Sequence, residues 1–156
     1  MSWFRRLLKR LKVSDRGTAT IEGAIIMPFL VLLFAGIADF GRVLWHYQTV
    51  NTGVRDATRY LSRRTLGDPV ACTLAGGADT EAQNLATTGN IGGGTLRLSY
   101  FTTTTATAEP IPGGPARYPC RVRVQATVTI PVLMLDFIGI GPITFTLEDM
   151  ARYYGD

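Results

Sequence analysis

The chain has 156 residues, 46% of them hydrophobic and 18% charged, and carries a formal charge of +4. That length allows one modest domain plus an anchor. Nucleic acid is excluded as a partner by where the charge lies: Arg5, Arg6, Lys9, Arg10, Lys12 and Arg16 against Asp15 put +5 in the first 17 residues and leave −1 for the rest, which therefore has no basic face for phosphates.

In chain order, Trp3, Phe4, Leu7, Leu8 and Leu11 fall at helical spacing with cations between them. Such a segment either lies in the headgroup layer as an amphipathic helix or is a solvated leader. The apolar run that follows has no charged side chain from Gly23 to Ala38. The sixteen residues between Glu22 and Asp39 span about 24 Å as a helix. With residues 18–21 and Phe40 added, the run crosses the ~30 Å hydrocarbon core, Glu22 and Asp39 sitting near the two interfaces. Asp39, Phe40 and Arg42 follow where a signal peptide would need small residues, so the segment reads as a retained anchor. Pro28 is tolerated in a membrane helix with a local kink or an early start.

All early cations precede the span, which orients the N-terminus to the cytoplasm and the rest outward. Both cysteines, Cys72 and Cys120, fall in the exterior part, where disulfides persist. Joined, they would close a loop worth roughly 4 kcal/mol. The other reading is a pair of free, buried thiols.

Past the span, Ile37, Phe40, Leu44, Tyr47, Val50, Val54, Ala57 and Leu61 recur every three or four residues, the mark of one apolar helical face. Asp39 with Arg42, and Asp56 with Arg59, are spaced as i,i+3 pairs. The helix is expected to run from Thr18 to Arg64, about 70 Å, until Gly67, Asp68 and Pro69 break it. Trp45 and Tyr47 suit the outer interface. His46, the only histidine, reads as an interfacial side chain.

Asp79 or Thr80 can cap a short helix through Leu85 and Ala86. Residues 95–103 and 121–130 alternate apolar and polar as strands do, and residues 143–150 make a third. Between the first two, residues 108–119 are rich in proline and glycine and read as a loop. Residues 131–142 form an apolar connection, either a buried one or one that rests on the membrane or on a partner. Three strands with hairpin-like connections make an antiparallel sheet that needs a covering layer, and the exterior half of the long helix is the obvious one. The fold class is α+β. The expected divisions are 1–17 leader, 18–42 transmembrane segment, 43–66 exterior continuation of the helix, and 67–156 sheet domain.

No catalytic constellation emerges, so the reading is not an enzyme, with no cofactor. Zinc needs more Cys and His ligands than this chain supplies. Gly92-Gly93-Gly94 lacks the Lys-Ser/Thr of a phosphate loop.

The stretch Arg16-Gly17-Thr18-Ala19-Thr20-Ile21-Glu22 resembles a type IV prepilin. That resemblance implies cleavage after Gly17, a new N-terminus at Thr18, and Glu22 at mature position five. Together with Pro28, Gly36-Ile37-Ala38-Asp39-Phe40-Gly41-Arg42 and Arg55-Asp56-Ala57-Thr58-Arg59-Tyr60, it is similar to the TadE-like (TadE/TadF) pilin-like proteins of the tight-adherence (Flp, type IVc) pilus. Gly23 stands where Flp pilins usually carry Tyr, and the exterior domain is far larger than that of a major pilin. The resemblance implies a minor pilin-like subunit of the inner membrane that supports pilus assembly and surface adhesion and can enter the filament. Its partners would be a prepilin peptidase, other pilin-like subunits and the assembly platform. Gly17 would give the peptidase an unobstructed backbone; otherwise it is a hinge. Glu22 would pair with the Thr18 ammonium group of a neighbour; otherwise it snorkels to the headgroups. The alternative function is an uncleaved single-span protein whose exterior domain binds another envelope component.

Overall fold

A computed structural model describes residues 15–102, 104–114 and 119–154. The expected leader helix over residues 3–12 lies outside them. Helix α1 runs unbroken from Asp15 to Arg63, with Pro28 inside it. Short strands β1 (Leu66–Asp68) and β2 (Thr73–Leu74) follow, then helix α2 (Ala78–Thr88) and strands β3 (Thr104–Pro110), β4 (Cys120–Ile130) and β5 (Ile143–Arg152). The sheet is antiparallel with β4 in the middle. Its inner face lies on the exterior half of α1, and α2 packs beside it, completing an α+β fold.

Strand β4 explains why the sheet docks. Val122, Val124, Ala126, Val128 and Ile130 are buried in alternation, as the period of two requires. They meet Val50, Val54, Ala57 and Leu61 of α1 in one core. The opposite face is polar: Thr127 bonds Thr146 at 3.0 Å, Thr129 bonds Thr144 at 2.8 Å, and Arg123 lies between Glu109 and Glu148.

Five expectations change. Residues 95–102 are not a strand but a series of turns. The Arg97 N–H donates to the Thr87 carbonyl at 2.8 Å, and the Phe101 N–H donates to the Leu98 carbonyl at 3.0 Å. That turn points Leu98 and Phe101 inward together, whereas alternation would have put them on opposite faces. The edge strand starts at Thr104 instead and ends on Pro110, inside the expected loop, a place where proline removes no needed donor. Helix α2 begins after Gly77, at φ 83°, with no side-chain cap; Asp79 sits in its first turn instead, where it favours the helix dipole. The partner of Asp56 is Arg97, at 3.9 Å, on the turn segment. Finally, the buried face of α1 departs from the expected stripe below Val50: Ala35, Asp39, Val43 and His46 face the domain, while Ile37, Phe40 and Leu44 stay exposed.

Cys72 and Cys120 are joined, 48 residues apart in sequence. The bond ties the β1–β2 hairpin to the start of β4, beside buried Leu66 and Tyr153.

Candidate functional site: the membrane-facing helix and its clamp

Three of the predicted site residues stand near the N-terminal end of α1, while Cys72 and Cys120 form the disulfide of the sheet domain. Gly17, Thr18 and Glu22 are all exposed, and among the described residues nothing beyond its own stretch of helix comes within 4 Å of where a Gly17 side chain would begin. Gly17 and Thr18 lie in the first turns of the helix rather than in an extended segment. A peptidase that reads extended backbone must unwind that turn first. From Gly17 to Phe34 every residue of α1 is exposed. Its side chains there are apolar on all sides, Ile21, Ile25, Phe29, Leu33 and Phe34 among them. A helix apolar all round needs a non-aqueous surround. Among the described residues, Gly17–Arg63 is the one helix long and apolar enough to cross a membrane.

The second feature lies where the free half meets the domain. Asp39 is 4% exposed, on the face of α1 turned toward the 131–142 connection. Its carboxylate accepts the backbone N–H groups of Leu133 at 3.3 Å, Met134 at 2.8 Å and Leu135 at 2.9 Å. One turn on, the Arg42 guanidinium donates to the Pro131 carbonyl and lies 3.6 Å from Asp39. The expected Asp39–Arg42 pair is therefore present, but its work is to grip the connection. An anion buried with three donors and a cation beside it has its desolvation offset. Nothing in the sequence links Asp39 to a segment more than ninety residues away; the weak signal was a lone acid closing an apolar run.

The connection itself corrects the buried-segment reading. Val132 is buried, but Leu133, Met134, Phe137, Ile138 and Ile140 are exposed. A cavity of about 150 Å³ separates it from α1, lined by Gly36, Phe40, Val43, Leu135 and Ile140 with Asp39 at its edge.

Just above the clamp, His46 is buried rather than interfacial, its ring edge-on to Tyr100 with centroids 5.2 Å apart. Burial first, and the Arg42 guanidinium second, hold the imidazole below its ordinary pKa. Burial likewise pushes the Tyr100 phenol up. Trp45 remains exposed, and Tyr47 packs against Phe145 at 5.3 Å. At the far end of α1, the Tyr60 hydroxyl donates to Glu81, which also pairs with Arg64 at 3.2 Å. That hydrogen bond, with burial, raises the Tyr60 pKa. Among the described residues no three His, Cys, Asp or Glu side chains gather into a metal-sized group.

Residues 17–59 match the family model of TadE-like proteins. No curated protein and no solved structure matches the chain. The matched segment is the part of α1 that runs from the free apolar half, through Asp39 and Arg42, into the domain core.

Proposed function

We propose, from a chain that is TadE-like over residues 17–59, that this protein is a minor pilin-like subunit that supports assembly of a tight-adherence pilus and, through it, surface adhesion. Its work is assembly, not catalysis. The carrying observation is the two-part helix: an apolar half exposed along its whole length, continuous with a half that is the core of a sheet domain. Such a helix can rest in the inner membrane and later pack among other pilin-like helices, its exterior domain already folded. The early cations keep the N-terminus in the cytoplasm, so the disulfide-bonded domain lies on the periplasmic side. Cleavage between Gly17 and Thr18 by a prepilin peptidase would leave an ammonium group near Glu22 of a neighbour, two opposite charges that offset each other's desolvation at the interface.

The helical state of Gly17 and Thr18 favours a second reading, an uncleaved anchor whose domain binds another envelope component. Intact mass and N-terminal sequence of the membrane-extracted protein, with and without the host's prepilin peptidase, separate the two. A chain starting at Thr18 only when the peptidase is present is the expected result. Retention of residues 1–17 in both strains sinks the processed-subunit reading.

A further inference from the structure

The membrane-spanning part of α1 is too short for the bilayer unless part of the domain enters it. Residues 18–34 are all exposed, and burial on α1 begins at Ala35. Seventeen helical residues measure about 25 Å, less than the ~30 Å hydrocarbon core. With Glu22 held at the cytoplasmic edge, the free length falls to about 20 Å. Tilting the helix shortens its reach further. The part of the domain at the level of the missing length is the 131–142 connection, since Leu135 and Ile140 line a common cavity with Gly36 and Phe40.

Its surface suits lipid. Leu133, Met134 and Phe137 are 65%, 53% and 75% exposed, and on the same stretch of α1 as the clamp Ile37 and Phe40 are 60% and 62% exposed. Much of its backbone suits lipid as well. Irregular backbone at membrane depth must have its polar groups met internally. Asp39 takes the N–H groups of residues 133–135. Those of Ile138, Gly139 and Ile140 bond within the connection, at 3.1, 2.9 and 3.4 Å, and Pro131 and Pro142 have none. The clamp thus also removes the Asp39 carboxylate from lipid.

We infer that the 131–142 connection is a second membrane anchor, its Leu133, Met134 and Phe137 side chains embedded in the outer leaflet of the bilayer that α1 crosses. Asp136, exposed in the 3₁₀ turn at the tip, keeps the penetration shallow, at the boundary of headgroup and acyl chain. The domain is thereby held against the membrane at two points and cannot swivel freely about α1. The inference rests on α1 spanning a bilayer.

The test uses the full chain in phosphatidylethanolamine–phosphatidylglycerol vesicles, with one nitroxide label in each of three variants. Phe137→Cys probes the connection, Phe29→Cys the span, and Thr80→Cys the aqueous end of the domain. Collision rates with oxygen, which concentrates in lipid, and with a water-soluble nickel chelate are then compared. The expected oxygen-to-nickel ratio at Phe137→Cys is several-fold above that at Thr80→Cys, approaching that at Phe29→Cys. A ratio at Phe137→Cys equal to that at Thr80→Cys, with Phe29→Cys still in lipid, overturns the second anchor and leaves the span intact. Protection of Phe137→Cys from both reagents also overturns it, because a second copy of the chain then covers the connection. If Phe29→Cys itself follows Thr80→Cys, the spanning helix and this inference fall together.

Discussion

The two halves of α1 are one continuous helix, yet they obey different rules. From Gly17 to Phe34 every residue is exposed and the apolar side chains surround the axis. From Val50 to Ser62 only one face is buried: Val50, Val54, Ala57 and Leu61 at 0–1% exposure, with Thr58 and Ser62 beside them. The difference comes from the surround. In lipid every outward position can be apolar, whereas beside a sheet only the covered stripe gains by being so. Leucine therefore carries different information in the two halves: lipid affinity in one, a fixed contact in the other.

That comparison can be broken most directly by making the same change in both halves. Leu61→Ala, at a fully buried position, is expected to cost the domain about 2–5 kcal/mol. Leu32→Ala, at 41% exposure, should leave domain unfolding within about 0.5 kcal/mol of the wild type. Denaturant unfolding in detergent, followed by near-ultraviolet circular dichroism, reads both. Equal losses would mean that Leu32 is packed within the fold.

Glycines sharpen the contrast. A Cβ at Gly53 would lie 2.3 Å from the Ala86 carbonyl oxygen and 3.3 Å from the Phe101 ring, so α2 crosses α1 at a contact that only glycine permits. Gly53→Ala should cost about 1–3 kcal/mol by forcing the helices apart. Gly41 has nothing within 4 Å, and Gly41→Ala should be neutral or stabilising in the same measurement, since alanine favours helix by up to about 1 kcal/mol.

The smallest expected effect is a pH dependence confined to the domain half. His46 has a folded pKa below its unfolded value near ~6.5. Between those two values the unfolded state binds a proton that the folded state refuses, so stability must fall as pH drops below about 6.5. Melting temperature measured from pH 7.5 to 5.5 should decline, and His46→Phe should flatten part of that slope. An unchanged slope in the variant would assign the decline to other groups.

Much of the architecture was legible because it rests on local periodicity. The 3.6-residue stripe through Val50, Val54, Ala57 and Leu61 and the two-residue alternation of Val122 to Ile130 each require a buried face, and the two faces proved to be each other's cover. Residues 95–102 depart from the expected strand for an instructive reason. Leu96, Leu98 and Tyr100 alternate as a strand would, but no strand partners them, and a hydrogen-bonded turn brings Leu98 and Phe101 to the same side. Alternation is only a pattern until a neighbouring strand supplies the ladder.

The sequence by itself determined that the chain has a membrane-length apolar helix, a charge bias before it, and a sheet domain after it. Each follows from composition or from a period within a few tens of residues, and local physics settles such features. Only the tertiary structure decided what Asp39 and Arg42 do, that Gly53 is a helix crossing, and that the 131–142 connection faces outward where the exposed apolar stretch of α1 ends. Those depend on contacts between segments far apart in sequence, and their energies exist only once the chain has folded around them.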